Sequence, residues 1–156
     1  MIASAVREVL ESTQFCIIAT ATPDGRPWVS PVFFNYDGDC RLVWESANEA
    51  LHSQLIARNP RIAVVVADFA ATPAVGAYFE CTAREVPAEG LAAALDVFLN
   101  GPHAKRDRTD RTVDDYGGTS RLRLYEAVPE RAYLLDRTTD AAGHVIERHI
   151  EVALTE

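Results

Sequence analysis

The chain has 156 residues, 48% of them apolar and 24% charged. That balance excludes a disordered or fibrous protein, and the length suits one globular domain over residues 1–156. Fifteen Lys and Arg against 23 Asp and Glu give a formal charge of −8. The basic footprint that nucleic acid or an anionic membrane would require is therefore missing. No apolar run approaches the roughly 18 residues of a membrane span, and no secretory signal pattern opens the chain. Cys16, Cys40 and Cys81 are an odd set with no C-x-x-C. They read as buried free thiols, not as a disulfide framework or a thiolate zinc site, and the expected location is cytoplasmic.

Ile2, Val6, Val9 and Leu10 recur at helical spacing, with Arg7, Glu8 and Glu11 opposite, so Ile2–Ser12 predicts a short amphipathic helix. Phe15–Thr20 is apolar and β-branched, a first strand, and Pro23-Asp24-Gly25 supplies a turn. Trp28–Phe34 predicts a second strand in spite of Pro31. Proline cannot donate to a ladder, so that position is an edge, a bulge or a place of ligand approach. Asp37-Gly38-Asp39 signals a hairpin into a third strand, Arg41–Glu45.

The period then changes. Leu51, Leu55 and Ile56 suit a short helix within Asn48–Asn59, capped by Ser46 or Asn48 and ended by Asn59-Pro60. Ile62–Val66 and Gly76–Val86 read as strands. Pro87 opens a helix through Leu91, Leu95, Phe98 and Leu99. Asn100–Thr119 is charged and aperiodic, a surface loop with room for one helical turn. Asp107, Asp110, Asp114 and Asp115 interleave there with Lys105, Arg106, Arg108 and Arg111, which reads as a solvated charged loop or, alternatively, a lid over a ligand. Arg121–Ala127, Arg131–Leu135 and Val145–Val152 read as final strands. Hairpin-linked strands without a βαβ repeat predict a mainly β (α+β) fold: an antiparallel split β-barrel with short flanking helices.

Catalytic signatures are sparse. There is no G-x-S-x-G, P-loop or G-x-G-x-x-G, and none of His52, His103, His144 and His149 forms an i, i+4 pair for metal. No metal site is expected.

The richest region is Ile18–Asp68. It reads Ile-Ala-Thr-Ala-Thr-Pro-Asp-Gly, then Ser-Pro-Val-Phe-Phe, then Leu-Val-Trp-Glu-Ser, then Ala-Leu-His-Ser-Gln-Leu ending Asn-Pro-Arg before an apolar strand. In this order the motifs resemble the pyridoxamine-phosphate-oxidase-like family of FMN-binding split barrels. The resemblance implies a homodimer with FMN at the subunit interface. It places Ser30, Pro31, Val32 and Phe33 beside the isoalloxazine ring. Trp44, Glu45 and Ser46 would flank the ring or ribityl chain, and Leu51, His52 and Ser53 would meet the phosphate. A helix start suits that last role, since its N–H groups and dipole favour an anion.

The implied activity is an FMN-dependent oxidoreductase. It would take a hydride from a nicotinamide or deazaflavin electron donor and act on a small-molecule substrate. The alternative is a non-catalytic binding or sensor protein holding flavin, deazaflavin or haem. Departures from the oxidase pattern argue against oxidation of pyridoxamine phosphate itself. Ser30 and Asn35 stand where the oxidase has basic residues, and Leu51 and His52 replace an Arg-Lys pair. The Arg-Leu-x-Pro type ending is also absent from Glu147–Leu154.

Overall fold

Alternation of apolar and polar residues turns one face of each strand inward, and the inward faces enclose a common interior. The computed structural model describes residues 2–71, 75–103 and 110–155. Its elements are α1 (Ser4–Ser12), β1 (Phe15–Ala21), β2 (Pro27–Tyr36), β3 (Leu42–Ala47), α2 (Leu51–Arg58), β4 (Arg61–Asp68), β5 (Val75–Glu85), α3 (Leu91–Asn100), β6 (Leu122–Thr139) and β7 (Val145–Val152). Single 3-10 turns occupy Ala88–Gly90 and Val113–Tyr116.

The sheet order is β3-β2-β1-β4-β5-β6-β7, and β3 also pairs with β6. Six antiparallel strands thus close into a ring, and β7 lies outside it on β6. Two final strands were expected where β6 runs unbroken for 18 residues. Its first third pairs with β3, its middle with β5 and its end with β7. A register shift at Glu80/Cys81, opposite Pro129–Arg131, lets the strand run on through Pro129.

Ile18, Phe34, Leu42, Trp44, Val64, Val66 and Phe79 fill the barrel and are almost wholly inaccessible. Val6, Val9 and Leu10 of α1 join this cluster. A second cluster packs Ala94, Leu95 and Phe98 of α3 with Val43, Val86, Tyr116 and Leu124. All three cysteines are buried and free. Burial pushes the Cys40 and Cys81 thiols up to about 12 and raises Cys16 further. Cys40 lies in the β2–β3 turn, not in a strand, with a φ of 64°. The Asp37 carboxylate holds that turn by accepting the N–H groups of Asp39 and Arg41.

Two further expectations are corrected. The N-cap of α2 is Ala50, without a side-chain hydrogen bond, so neither Ser46 nor Asn48 caps it. The stretch after α3 is not wholly a surface loop. His103 and Tyr116 are buried, and a Thr112–Asp115 capping box fixes the 3-10 turn. Of the charged residues expected to form a solvated loop or a lid, Lys105, Arg106, Asp107 and Arg108 lie outside the described residues, while Asp110, Arg111, Asp114 and Asp115 are described. No helix among the described residues is long and apolar enough to cross a membrane.

Candidate functional site

The ring is incomplete on one side. β1 pairs with β2 from Pro27 to Phe33, whereas β3 pairs only with Phe34, Asn35 and Tyr36. Beyond Phe34 the two strands part, and a groove of about 280 Å³ opens between them. Phe15, Pro31, Val32, Phe33, Glu45, Ser46, His52 and Phe98 line it. Six of the ten residues named from the sequence therefore converge there: Pro31, Val32, Phe33, Glu45, Ser46 and His52.

Strand geometry explains Pro31. The Phe34 N–H bonds to the Gln14 carbonyl on the β1 side. Hydrogen-bonding direction alternates along a strand, so the backbone of Val32 and Ser30 also faces β1. The Pro31 nitrogen faces the other way, where β3 has already diverged, and no β1 ladder bond is lost. The edge reading of Pro31 is the one its backbone shows, and Pro31 also lines the groove.

Phe33 organises the apolar wall. Its ring meets Phe15 at 6.1 Å and Phe98 at 5.9 Å, edge to face in both cases. The opposite wall is polar. The Tyr116 hydroxyl donates to Glu45 Oε2 at 2.7 Å. His52 Nε2 and Ser46 Oγ share a hydrogen bond of 2.8 Å. Burial lowers the His52 pKa, so its ring is neutral at neutral pH. His52 stands in the first turn of α2, a turn with no acidic residue and no side-chain cap.

The other four named residues lie off the lining. Ser53 is buried and donates to the Ala47 carbonyl at 2.8 Å, tying α2 to β3. Leu51 is exposed outside the groove, and Ser30 Oγ accepts the Trp28 indole N–H at 3.0 Å. Trp44 is fully enclosed in the barrel core and stacks on Tyr125 at 5.8 Å. Its strand turns that face to the barrel interior, away from the groove lining.

Three contributors escaped the sequence reading. Phe15 and Phe98 were noted only as element members. Tyr116, directly after Asp114-Asp115, was lost in a charged stretch. Among the described residues no group of His, Cys, Asp or Glu is arranged to hold a metal.

Next to the groove, the outer barrel face is apolar. Ile17, Ala19, Val29, Ala63, Val65, Tyr78 and Tyr133 border a shallow cavity of about 310 Å³. Val29 is 61% exposed and Phe15, on the shared border, 58%.

Comparison with known proteins agrees with this architecture. A sequence search of curated proteins found no match. Among solved structures, a heme binding protein from Mycobacterium smegmatis superposes with a TM-score of 0.66 at 19% identity. The match covers 96% of this chain but only 59% of that one. A candidate pyridoxamine 5'-phosphate oxidase from Listeria innocua gives 0.62 at 18% identity, covering 83% of this chain and 94% of that one. HutZ, the heme storage protein of Vibrio cholerae, gives 0.60 at 16%, covering 83% and 90%. At these identities the likeness concerns the fold. The sequence itself matches the family model described as Pyridoxamine 5'-phosphate oxidase over residues 2–136, and the chain belongs to that family.

Proposed function

We propose that this protein is an FMN-dependent oxidoreductase acting on a small molecule, with the flavin held in the groove between β2 and β3. The observation that carries this reading is the meeting, in one groove, of an aromatic wall with His52 from the first turn of α2, a helix without a side-chain cap. The two suit a flat ring system with an anionic tail. FMN held there would supply hydride and electron transfer between a reduced nicotinamide or deazaflavin donor and the substrate.

The chain's own residues bind and orient. Phe33, braced by Phe15 and Phe98, offers apolar surface to a ring. Glu45, steadied by Tyr116, offers a carboxylate to hydroxyl or N–H donors. The first N–H groups of α2 and the His52 imidazole offer donors to a phosphate. No described Lys or Arg lines the groove, so phosphate affinity rests on these neutral donors.

The reading includes a homodimer in the cytoplasm. The apolar face of β1, β2, β4 and β5 adjoins the groove at Phe15, so a second copy seated there would also wall the site. Three free thiols accord with a reducing compartment.

A second reading is haem binding without turnover. A neutral imidazole in an aromatic-walled groove favours it, and so do the names of two structural neighbours. Parallel titrations with FMN and hemin separate the readings. Quenching of FMN fluorescence with micromolar affinity, and anaerobic bleaching of the bound flavin by NADPH, NADH or reduced deazaflavin, supports the oxidoreductase. A saturable Soret shift without FMN binding supports haem. Binding of neither sinks both.

A further inference from the structure

Asn35 is a polar residue with no exposed surface, placed two positions after Phe33 and so on the same face of β2. Its amide makes a set of bonds that reach far along the chain. Nδ2 donates to the Phe98 carbonyl and to the His103 carbonyl, both at 3.1 Å. Oδ1 accepts the His103 N–H at 3.0 Å and, more weakly, the Tyr36 N–H at 3.3 Å.

His103 carries the connection onward. Its Nε2 donates to the Leu10 carbonyl in the last turn of α1 at 2.8 Å, and its ring packs edge-on against Phe34 and Tyr36. Gly101, between the two clamped residues, has no room for a side chain. A Cβ there would overlap the Asn35 amide and the Val97 carbonyl. The resemblance to the oxidase aligns Asn35 with a basic residue. Here the side chain is spent inside the protein and cannot reach a ligand.

One strand thus carries a groove wall and, two residues later, a clamp on the helix that completes that wall. Phe98 is the residue they share: its carbonyl is held by Asn35 and its ring closes on Phe33. We infer that Asn35 is a positioning residue for the groove: by fixing the Phe98–His103 segment it seats α3 so that the Phe98 ring completes the aromatic wall and the wall's affinity for a flat ligand. This inference rests on the groove being the ligand site. It goes beyond that reading by assigning affinity to a residue that touches no ligand.

The test uses Asn35→Ala and, from the opposite side of the contact, Gly101→Ala, which removes no groove side chain. Amide hydrogen exchange, the ring–ring NOE between Phe33 and Phe98, and the affinities for FMN and hemin are measured on the full chain. In both variants the His103 amide, which donates to Asn35, should exchange at least about tenfold faster, since a lost hydrogen bond of this kind is worth about one decade. The Phe33–Phe98 NOE should weaken and the Kd of the bound probe should rise about tenfold. Amides of β4 and β5 should stay within about twofold of wild type, as distant sites do.

Exchange that quickens equally everywhere would overturn the inference, because the residue would then be structural in the ordinary sense. So would a loosened segment with unchanged affinity, or an unchanged NOE. If the wild-type protein binds neither probe, the proposed function falls, while the exchange and NOE readings still decide whether Asn35 seats the wall.

Discussion

The two sides of the barrel are built differently. On the β4–β5 side, eight consecutive residue pairs run from Arg61/Thr82 to Asp68/Val75, and Val64, Val66 and Phe79 behind them are sealed from solvent. On the β2–β3 side only three pairs form, and the wall beyond is made of Phe15, Phe33 and Phe98 side chains drawn from three elements. The first side gains stability from ladder and packing together. The second gives up ladder bonds to make a groove, and recovers order through single long-range contacts. A rigid scaffold and an accessible site are thus halves of one ring.

The contrast can be broken most sharply at Phe79. Phe79→Ala should cost about 3–5 kcal/mol, read as a lower midpoint in urea, with ligand affinity unchanged in the fraction that stays folded. A loss below about 1 kcal/mol would mean that the closed side is not the scaffold. Glu126 comes next. It is buried and accepts from Arg41 at 2.9 Å and Arg84 at 2.7 Å. Glu126→Ala should cost roughly 2 kcal/mol by urea denaturation, less than a fully buried pair because Arg84 is mostly in solvent. Phe33→Ala should show the reverse pattern: a stability loss of about 1–2 kcal/mol, since Phe33 is only half-buried, with the FMN Kd raised tenfold or more.

The smallest expected effect is that of pH. Burial lowers the pKa of both His52 and His103. Below about pH 6.5 the unfolded chain therefore binds protons that the folded chain refuses. Stability is intact above that pH and declines as pH falls toward 5. His103→Gln should flatten the decline in thermal midpoint between pH 7 and 5. A slope unchanged from wild type would assign the acid sensitivity elsewhere.

Much of this was legible from residue order alone. β1, β2 and β3 were bounded to within a few residues because Pro23-Asp24-Gly25 and Asp37-Gly38-Asp39 punctuate period-2 runs. The groove-lining part of the site was legible because neighbours on one strand stay neighbours in space: Pro31, Val32 and Phe33 on β2, and Glu45 and Ser46 on β3. What stayed hidden depends on long-range contact or on which face a side chain takes. The sequence does not reveal that Trp44 turns inward while Glu45 turns to the groove, since the register to β6 decides it. Asn35 reads as an ordinary strand residue until Phe98 and His103, 63 and 68 positions away, come to its amide. β6 reads as two strands because the register shift that leaves Glu130 unpaired beside Pro129 exists only once β5 lies across from it.

The buried thiols carry a practical consequence. Cys16, Cys40 and Cys81 have almost no exposed surface, and burial keeps each protonated far above neutral pH. An alkylating reagent reacts with thiolate, so these sulfurs become modifiable only when the barrel opens. The wild-type protein is therefore its own timer: the rate at which a maleimide consumes its thiols measures opening directly. A cysteine introduced on the surface could meanwhile carry a fluorophore or spin label with the native three left in place.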